Sequence, residues 1–272
     1  MRNLLNGPEW LVEQVGWDPL EAGVWETRFT VGNGYLGTRG TVEEGHRGQL
    51  SGTYLNGVYD SHDSPVIDLV NVPDWTMLEI YVEGVRMDVH TCVVEEHRRA
   101  LDLRQGVLWR STVFRDPAGR RTRLETLRFA SMAEREVCAM RAIITAENHS
   151  STVSVHSGID GHRRNLDRLP AYPGGTDFHP EVKWEKWAFS KHLDELRREV
   201  DDDVLYLRMR TISSGIAIGV AAQTTFSAEP IQRDEHQGYE QIVQRAVFSL
   251  AEGQPLQIDK CAVLLTSRNS GA

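Results

Sequence analysis

The chain has 272 residues, 40% hydrophobic and 25% charged, the balance of a globular protein with room for a substantial core. Its formal net charge of −9 makes a phosphate-backbone partner a poor first guess, so no nucleic-acid partner is expected. No apolar run approaches the roughly 18 residues of a membrane helix, and no membrane partner is expected either.

The N-terminus, Met1 to Pro8, carries one basic side chain and no apolar h-region, so a secretory signal is not expected. Cys92, Cys138 and Cys261 are odd in number and form no C-x-x-C. Each has apolar neighbours and reads as a small residue in a buried strand. That usage fits a reducing compartment, and the expected location is cytoplasmic. Of the 30 basic residues only Lys183, Lys186, Lys191 and Lys260 are lysine, a bias from which no function is read.

Along the chain, Gly32-Asn33-Gly34-Tyr35-Leu36-Gly37 matches G-x-G-x-x-G. No βαβ unit surrounds it, and Thr38-Arg39-Gly40 follows without a helix, so a dinucleotide site is rejected. A tight turn or bulge with several positive-φ positions is expected, with Asn33 tolerating the left-handed region. Just before it, Glu26 and Arg28 read as alternate strand positions that would form a structural ion pair.

Aromatic and polar residues then mix at Tyr54-Leu55-Asn56-Gly57-Val58-Tyr59-Asp60 and at Asn71-Val72-Pro73-Asp74-Trp75. Such residues suit a buried interface first and direct sugar contact second. Leu78–Val82 and Val85–Val89 alternate around Glu83-Gly84 and predict a β-hairpin. A longer hairpin follows, Val107–Phe114 and Arg121–Phe129, across a turn at Arg115–Arg120 where Asp116, Pro117 and Gly119 carry the turn chemistry. In its second arm Thr122, Leu124, Thr126 and Leu127 alternate less regularly, leaving the register open.

Further strands are predicted at Val137–Ala146, Thr152–Ile159, Val204–Thr211, Ile216–Ala222, Gln244–Leu250 and Cys261–Thr266. Arg163–Pro180 reads as a long excursion from the sheet. In Glu181–Val200 the spacing of Phe189, Leu193, Leu196 and Val200 is helical. Arg268–Ala272 resembles the start of a linker.

Chemistry-bearing motifs are few. There is no H-E-x-x-H and no metal spacing among the ten histidines, so no metal is expected. No G-x-S-x-G elbow marks a serine nucleophile. Asn148-His149-Ser150 fits a glycosylation sequon, to which little weight attaches without a secretion signal. Glycoside hydrolysis needs two carboxylates at a set separation, and among 39 acidic residues none can be singled out.

The stretch from Trp25 to Gly40, Trp-Glu-Thr-Arg-Phe-Thr-Val-Gly-Asn-Gly-Tyr-Leu-Gly-Thr-Arg-Gly, resembles the opening signature of glycoside hydrolase family 65. Gly52–Tyr59, Leu69–Trp75, Leu101–Leu108 and Arg128–Ser131 follow in that family's order. The resemblance implies an all-β fold: a large antiparallel β-supersandwich, galactose-mutarotase-like, with few short helices, filling residues 1–272 as one N-terminal domain. It implies that a catalytic (α/α)6 barrel, absent from this sequence, carries the general acid and the phosphate site.

The implied parent activity is inverting phosphorolysis or hydrolysis of an α-glucoside. Inorganic phosphate would be its co-substrate, and no cofactor is implied. An all-β fold also requires Glu181–Val200 to be strand or loop, with His192–Val200 pairing with Val204–Thr211 across Asp201–Asp203.

Three functions follow. The first is a non-catalytic domain that supports the barrel of its own parent enzyme and supplies subunit contacts, as in a homodimer. It predicts an exposed, aromatic-rich apolar face. The second is an autonomous carbohydrate-binding module with a Trp or Tyr platform. The third is a mutarotase-like enzyme. No residue is expected to be catalytic. Arg28, Tyr54, Asn56, Asn71, Asp74 and Trp75 are the candidates for substrate or interdomain contact.

Overall fold

The computed structural model describes residues 1–62, 67–168 and 187–268. Among these, twenty strands make four antiparallel sheets. The largest runs in the spatial order β1 (Leu11–Val15), β8 (Val93–Asp102), β9 (Val107–Arg115), β10 (Arg121–Ala130), β11 (Val137–Ala146), β20 (Pro255–Thr266), β17 (Ala217–Phe226), β16 (Val204–Thr211) and β15 (Leu193–Asp201). A five-stranded sheet contains β18 (Gln232–Gly238), β19 (Gln241–Leu250), β12 (Ser151–Asp160), β6 (Leu78–Val82) and β7 (Val85–Arg86). A smaller sheet joins β2 (Val31–Gly32), β3 (Leu36–Thr38), β4 (Thr53–Asp60) and β5 (Asp68–Asn71), and β13 (Asn165–Arg168) pairs with β14 (Trp187–Ser190).

One apolar cluster fills the space between the sheets. It takes Ile144, Val220, Ile258 and Leu264 from the large sheet, Ile80, Val155 and Phe248 from the five-stranded one, and Leu55 and Val70 from the smaller one. This is the face-to-face β-sandwich that alternating patterning demands, with one side of each strand inward. The family's all-β expectation holds. Among the described residues, helix is confined to α1 (Ala22–Arg28) and two single 3-10 turns.

The second arm of the long hairpin is in fact regular. Thr122, Leu124, Thr126, Arg128 and Ala130 all point inward and are buried, in register with β9 through Leu124↔Thr112 and Thr126↔Arg110. Two threonines and an arginine on a core-facing row blurred the hydrophobic alternation. The turn before it follows its chemistry: Asp116 Oδ1 accepts from the amides of Ala118 and Arg120, and Gly119 has φ of 83°. The first hairpin turns at Glu83-Gly84, both at positive φ. Its second strand is shorter than expected, because Asp88 Oδ1 caps the amides of His90 and Thr91 and starts a new turn.

Three readings are corrected. The helical spacing in 187–200 is overruled: Trp187–Ser190 is β14, and β15 pairs with β16 from Leu193↔Thr211 to Asp201↔Val204, with a bulge at Glu195/Arg197. The rest of that stretch and most of the Arg163–Pro180 excursion fall within 169–186, outside the described residues, as do 269–272. Glu26 and Arg28 sit on α1, so they do not alternate on a strand. Cys261 is exposed on β20 and Cys92 lies outside any strand, leaving Cys138 as the one buried strand cysteine.

The glycine-rich stretch forms the turn between β2 and β3. Only Gly34 needs positive φ there; Asn33 instead uses its Oδ1 to accept from the amides of Tyr35 and Leu36.

Candidate functional site in a cleft floored by buried ion pairs

The inner face of the large sheet carries a transverse polar row. Register aligns Arg99 with Arg110 and Arg110 with Thr126, then, two residues along β10, Arg128 with Met140, Met140 with Lys260 and Lys260 with Thr224. Arg99, Arg110, Arg128 and Lys260 are all buried. Charged groups inside a sandwich need partners; the three arginines find theirs in the irregular segment 39–51, and Lys260 on the carbonyls of Met77 and Gly158.

Arg110 grips Glu44 with both Nη atoms, at 3.0 and 2.8 Å, and lies 3.5 Å from Glu43. Arg128 donates to Glu43 Oε1 at 3.1 Å and to the carbonyls of Arg39 and Thr41. Arg99 donates to the Gly40 carbonyl at 2.7 Å and stacks on the Phe29 ring. The carbonyls of Arg39, Gly40 and Thr41 are thus satisfied by guanidinium groups instead of a neighbouring strand. Gly40 is required for the fit, since a Cβ there would stand 2.3 Å from Phe29 Cβ.

Above this floor lies a cleft of about 600 Å³, walled by the segment 43–51 on one side and by Asp74–Glu79, Arg86–Thr91 and Asp160–Arg163 on the other. His46 sits in its wall. Its Nε2 is 2.7 Å from Glu26 Oε1 and its Nδ1 is 2.9 Å from the Arg47 carbonyl. Both neighbours are acceptors, an arrangement that favours hydrogen on both ring nitrogens. Burial alone would lower its pKa, but the Glu26 and Arg47 bonds outweigh that and raise it. Across from it, His90 Nε2 accepts the Arg47 amide at 2.8 Å.

Opposite, Glu79 and Asp88 both pair with Arg86, and Arg163 pairs with Asp160. Asp74 bridges backbone to backbone with Asp160 and accepts from the Thr76 amide and hydroxyl, each at 2.7 Å. Burial would raise its pKa, yet Arg163, Thr76 and Lys260 together hold it below the usual carboxylate range. Lys260 donates to the carbonyls of Met77 and Gly158, and burial pushes it down to about 7 against the pull of Asp74.

Of the six candidates, Asp74 alone lines the cleft. Asn71 is a strut beside it, donating to the carbonyls of Ser51 and Arg164 and accepting from the Thr53 amide. Trp75 is 0% exposed and donates to Thr38 Oγ1, so it is core and not a sugar platform. Tyr54 packs half-buried beside Arg39, Asn56 is exposed on β4, and Arg28 is exposed on α1 over the Trp25 ring.

The residues missed were Glu43, Glu44, His46, Arg110 and Arg128. The available signal was Glu43-Glu44-Gly45-His46-Arg47-Gly48, four charged or titratable side chains between glycines, together with arginines at inward strand positions. Among the described residues no group of His, Cys, Asp and Glu is placed to hold a metal ion. No helix among them is long and apolar enough to cross a membrane.

A Ser–His–Asp string also exists, Ser190 Oγ to His192 Nε2 at 2.7 Å and His192 Nδ1 to Asp60 Oδ2 at 3.2 Å. All three are buried and none lines the cleft. Asp60 also accepts from the amides of Ser213 and Ser214, so the string clamps β4 and β14 to the turn after β16.

Comparison with known proteins fits this architecture. Residues 12–272 match the family model described as glycosyl hydrolase family 65, N-terminal domain. The kojibiose phosphorylase of Caldanaerobacter subterraneus subsp. tengcongensis is 31% identical over 99% of this chain, and that of Thermoanaerobacter brockii 30% over 99%. A solved structure from the human microbiome, named for kojibiose phosphorylase, superposes with a TM-score of 0.78 at 16% identity over 98% of this chain. The chain spans 34% of the length of each of these three proteins. It belongs to glycosyl hydrolase family 65 and matches that family's N-terminal domain.

Proposed function

We propose that this chain is the non-catalytic front domain of an α-glucoside phosphorylase or hydrolase, supporting a catalytic barrel and acting in carbohydrate metabolism. The observation that carries the reading is the pairing in the cleft. A glycosidic general acid must hold a proton near neutral pH, which requires a carboxyl whose pKa is raised. Here Glu43, Glu44, Glu79, Asp88 and Asp160 each face a guanidinium, and Asp74 is held low. A match over 99% of this chain that covers 34% of the length of each kojibiose phosphorylase, together with the N-terminal-domain family model, supports the same division of labour.

In this reading inorganic phosphate is a co-substrate bound outside residues 1–272, and the working location is the cytoplasm, where three unpaired cysteines are at home. The partner is the parent's barrel, and subunit contacts of a homodimer fall to the same domain. The test is phosphorolysis by the purified chain of kojibiose, trehalose and maltose, read as consumption of orthophosphate. No turnover is expected, and turnover of any of the three refutes the proposal.

A further inference from the structure

We infer that the cleft between segment 43–51 and the Asp74–Thr91 wall is a binding site for a neutral, polyhydroxylated ligand, a mono- or disaccharide. The inference rests on the carbohydrate reading above only for the choice of sugars; the recognition chemistry comes from the cleft.

Size comes first. A volume of about 600 Å³ falls within the roughly 300–1,000 Å³ typical of small-ligand sites. Charge comes second. Each cleft carboxylate has a cation at its back or side: Arg110 and Arg128 behind Glu43 and Glu44, Arg86 beside Glu79 and Asp88, Arg163 beside Asp160 and near Asp74. An incoming cation would have to compete with a partner already in place at each of these carboxylates. A neutral ligand would not.

The third observation is unsatisfied acceptors. Gln49 Nε2 donates to the Val42 carbonyl at 3.2 Å and to Ser51 Oγ at 2.8 Å. A carbonyl can only accept, so the amide orientation is fixed and Oε1 is the other end. That Oε1 is buried and has no hydrogen-bond donor, while Glu43 Oε2 has only the Arg110 ion pair at 3.5 Å, which lacks hydrogen-bond geometry. Both residues line the cleft.

A buried acceptor without a donor is costly, and two on one wall call for a ligand that brings hydrogens. Hydroxyl groups supply them. Orthophosphate near neutral pH brings only one or two, on an anion that meets six cleft carboxylates. Arg86 Nε, buried and without a hydrogen-bond acceptor of adequate geometry, complements a hydroxyl oxygen from the facing wall. The exposed His90 ring and the half-buried Met77 side chain are the carbon surface that the cleft lining offers a pyranose ring. No Trp, Tyr or Phe lines the cleft, so millimolar affinity is expected, short of that of a site with an aromatic platform.

The test is an amide-resolved NMR titration of the full 272-residue chain with D-glucose, kojibiose and orthophosphate. Saturable shifts confined to 43–51, 74–79 and 86–91 are expected with one of the two sugars, and none with orthophosphate below 50 mM, a ceiling of roughly the weakest specific affinities. Gln49→Leu should weaken sugar binding about tenfold, the effect of one lost buried hydrogen bond, with the spectrum otherwise native. Thr152→Ala, on the far end of β12, is the control and should bind as the parent does.

Absence of shifts at 100 mM sugar overturns the inference, as would tighter binding of orthophosphate (concentrations of order the millimolar regime). So would a Gln49→Leu chain that folds and binds unchanged. None of these results touches the phosphorolysis assay, so the cleft can fail while the front-domain reading stands, and the reverse.

Discussion

Replacing Arg110 by leucine isolates what the floor of the cleft contributes. Arg110 makes two short bonds to Glu44 and one longer ion pair to Glu43. After R110L, Glu43 still has Arg128 at 3.1 Å and the Thr126 hydroxyl. Glu44, 1% exposed, has no other cationic side chain within ion-pair distance among the described residues. Orphaning one member of a buried pair costs about 3–5 kcal/mol, which at this size lowers Tm by roughly 6–20 °C. Urea unfolding followed by tryptophan fluorescence, with calorimetry for Tm, measures it.

Two further variants make the test sharp. E44L/R110L removes both charges and should recover more than half of the loss, because it leaves no orphan carboxylate. Acid should also rescue R110L. An unpaired buried Glu44 has a folded pKa above its unfolded value near 4.3, so its folded state takes up the proton first. The extra cost of R110L is therefore absent below about pH 4 and appears as pH rises through the folded value. A loss under about 1 kcal/mol at pH 7, or a double variant no better than the single, refutes the idea that ion pairing holds the segment.

Lys260 gives a second pH signature. Its folded value of about 7 lies below the usual lysine range, so the unfolded chain binds the extra proton between about 7 and 10.4. The burden on stability is full below about 7 and fades as pH rises toward 10.4, giving a positive slope that Lys260→Met should flatten in urea titrations at pH 7 and 9.5. An unchanged slope in K260M contradicts the assignment. Gly40→Ala should cost about 1–3 kcal/mol or more, because its Cβ overlaps Phe29 at a place with no slack; a thermal melt within 1 °C of the parent rules that out.

The sheets were legible because their strands alternate, and turns such as Asp116–Gly119 carry their own chemistry. Legibility failed where side chains broke the binary code. An inward Arg128 between inward Thr126 and Ala130 looked like noise on β10, and helical spacing across Phe189, Leu193 and Leu196 coincided with two strands, β14 pairing back with β13 and β15 closing a hairpin with β16. The cleft was less legible still. Trp75 drew attention for its ring, which lies in the core, whereas His46 and Arg47 draw their roles from contacts with Glu26 and His90, residues 20 and 43 positions away. Only Asp74 carried over, since its loop position next to a buried tryptophan is written locally.

The segment 39–51 owes its shape to guanidinium groups rooted in three separate strands, so it is not a portable module. A chimera that imports the equivalent stretch from a relative inherits a shape it cannot hold unless positions 99, 110 and 128 travel with it. Conversely, Arg47 and His90 at the mouth touch none of those three anchors, so the rim is free to diversify while its foundation stays put.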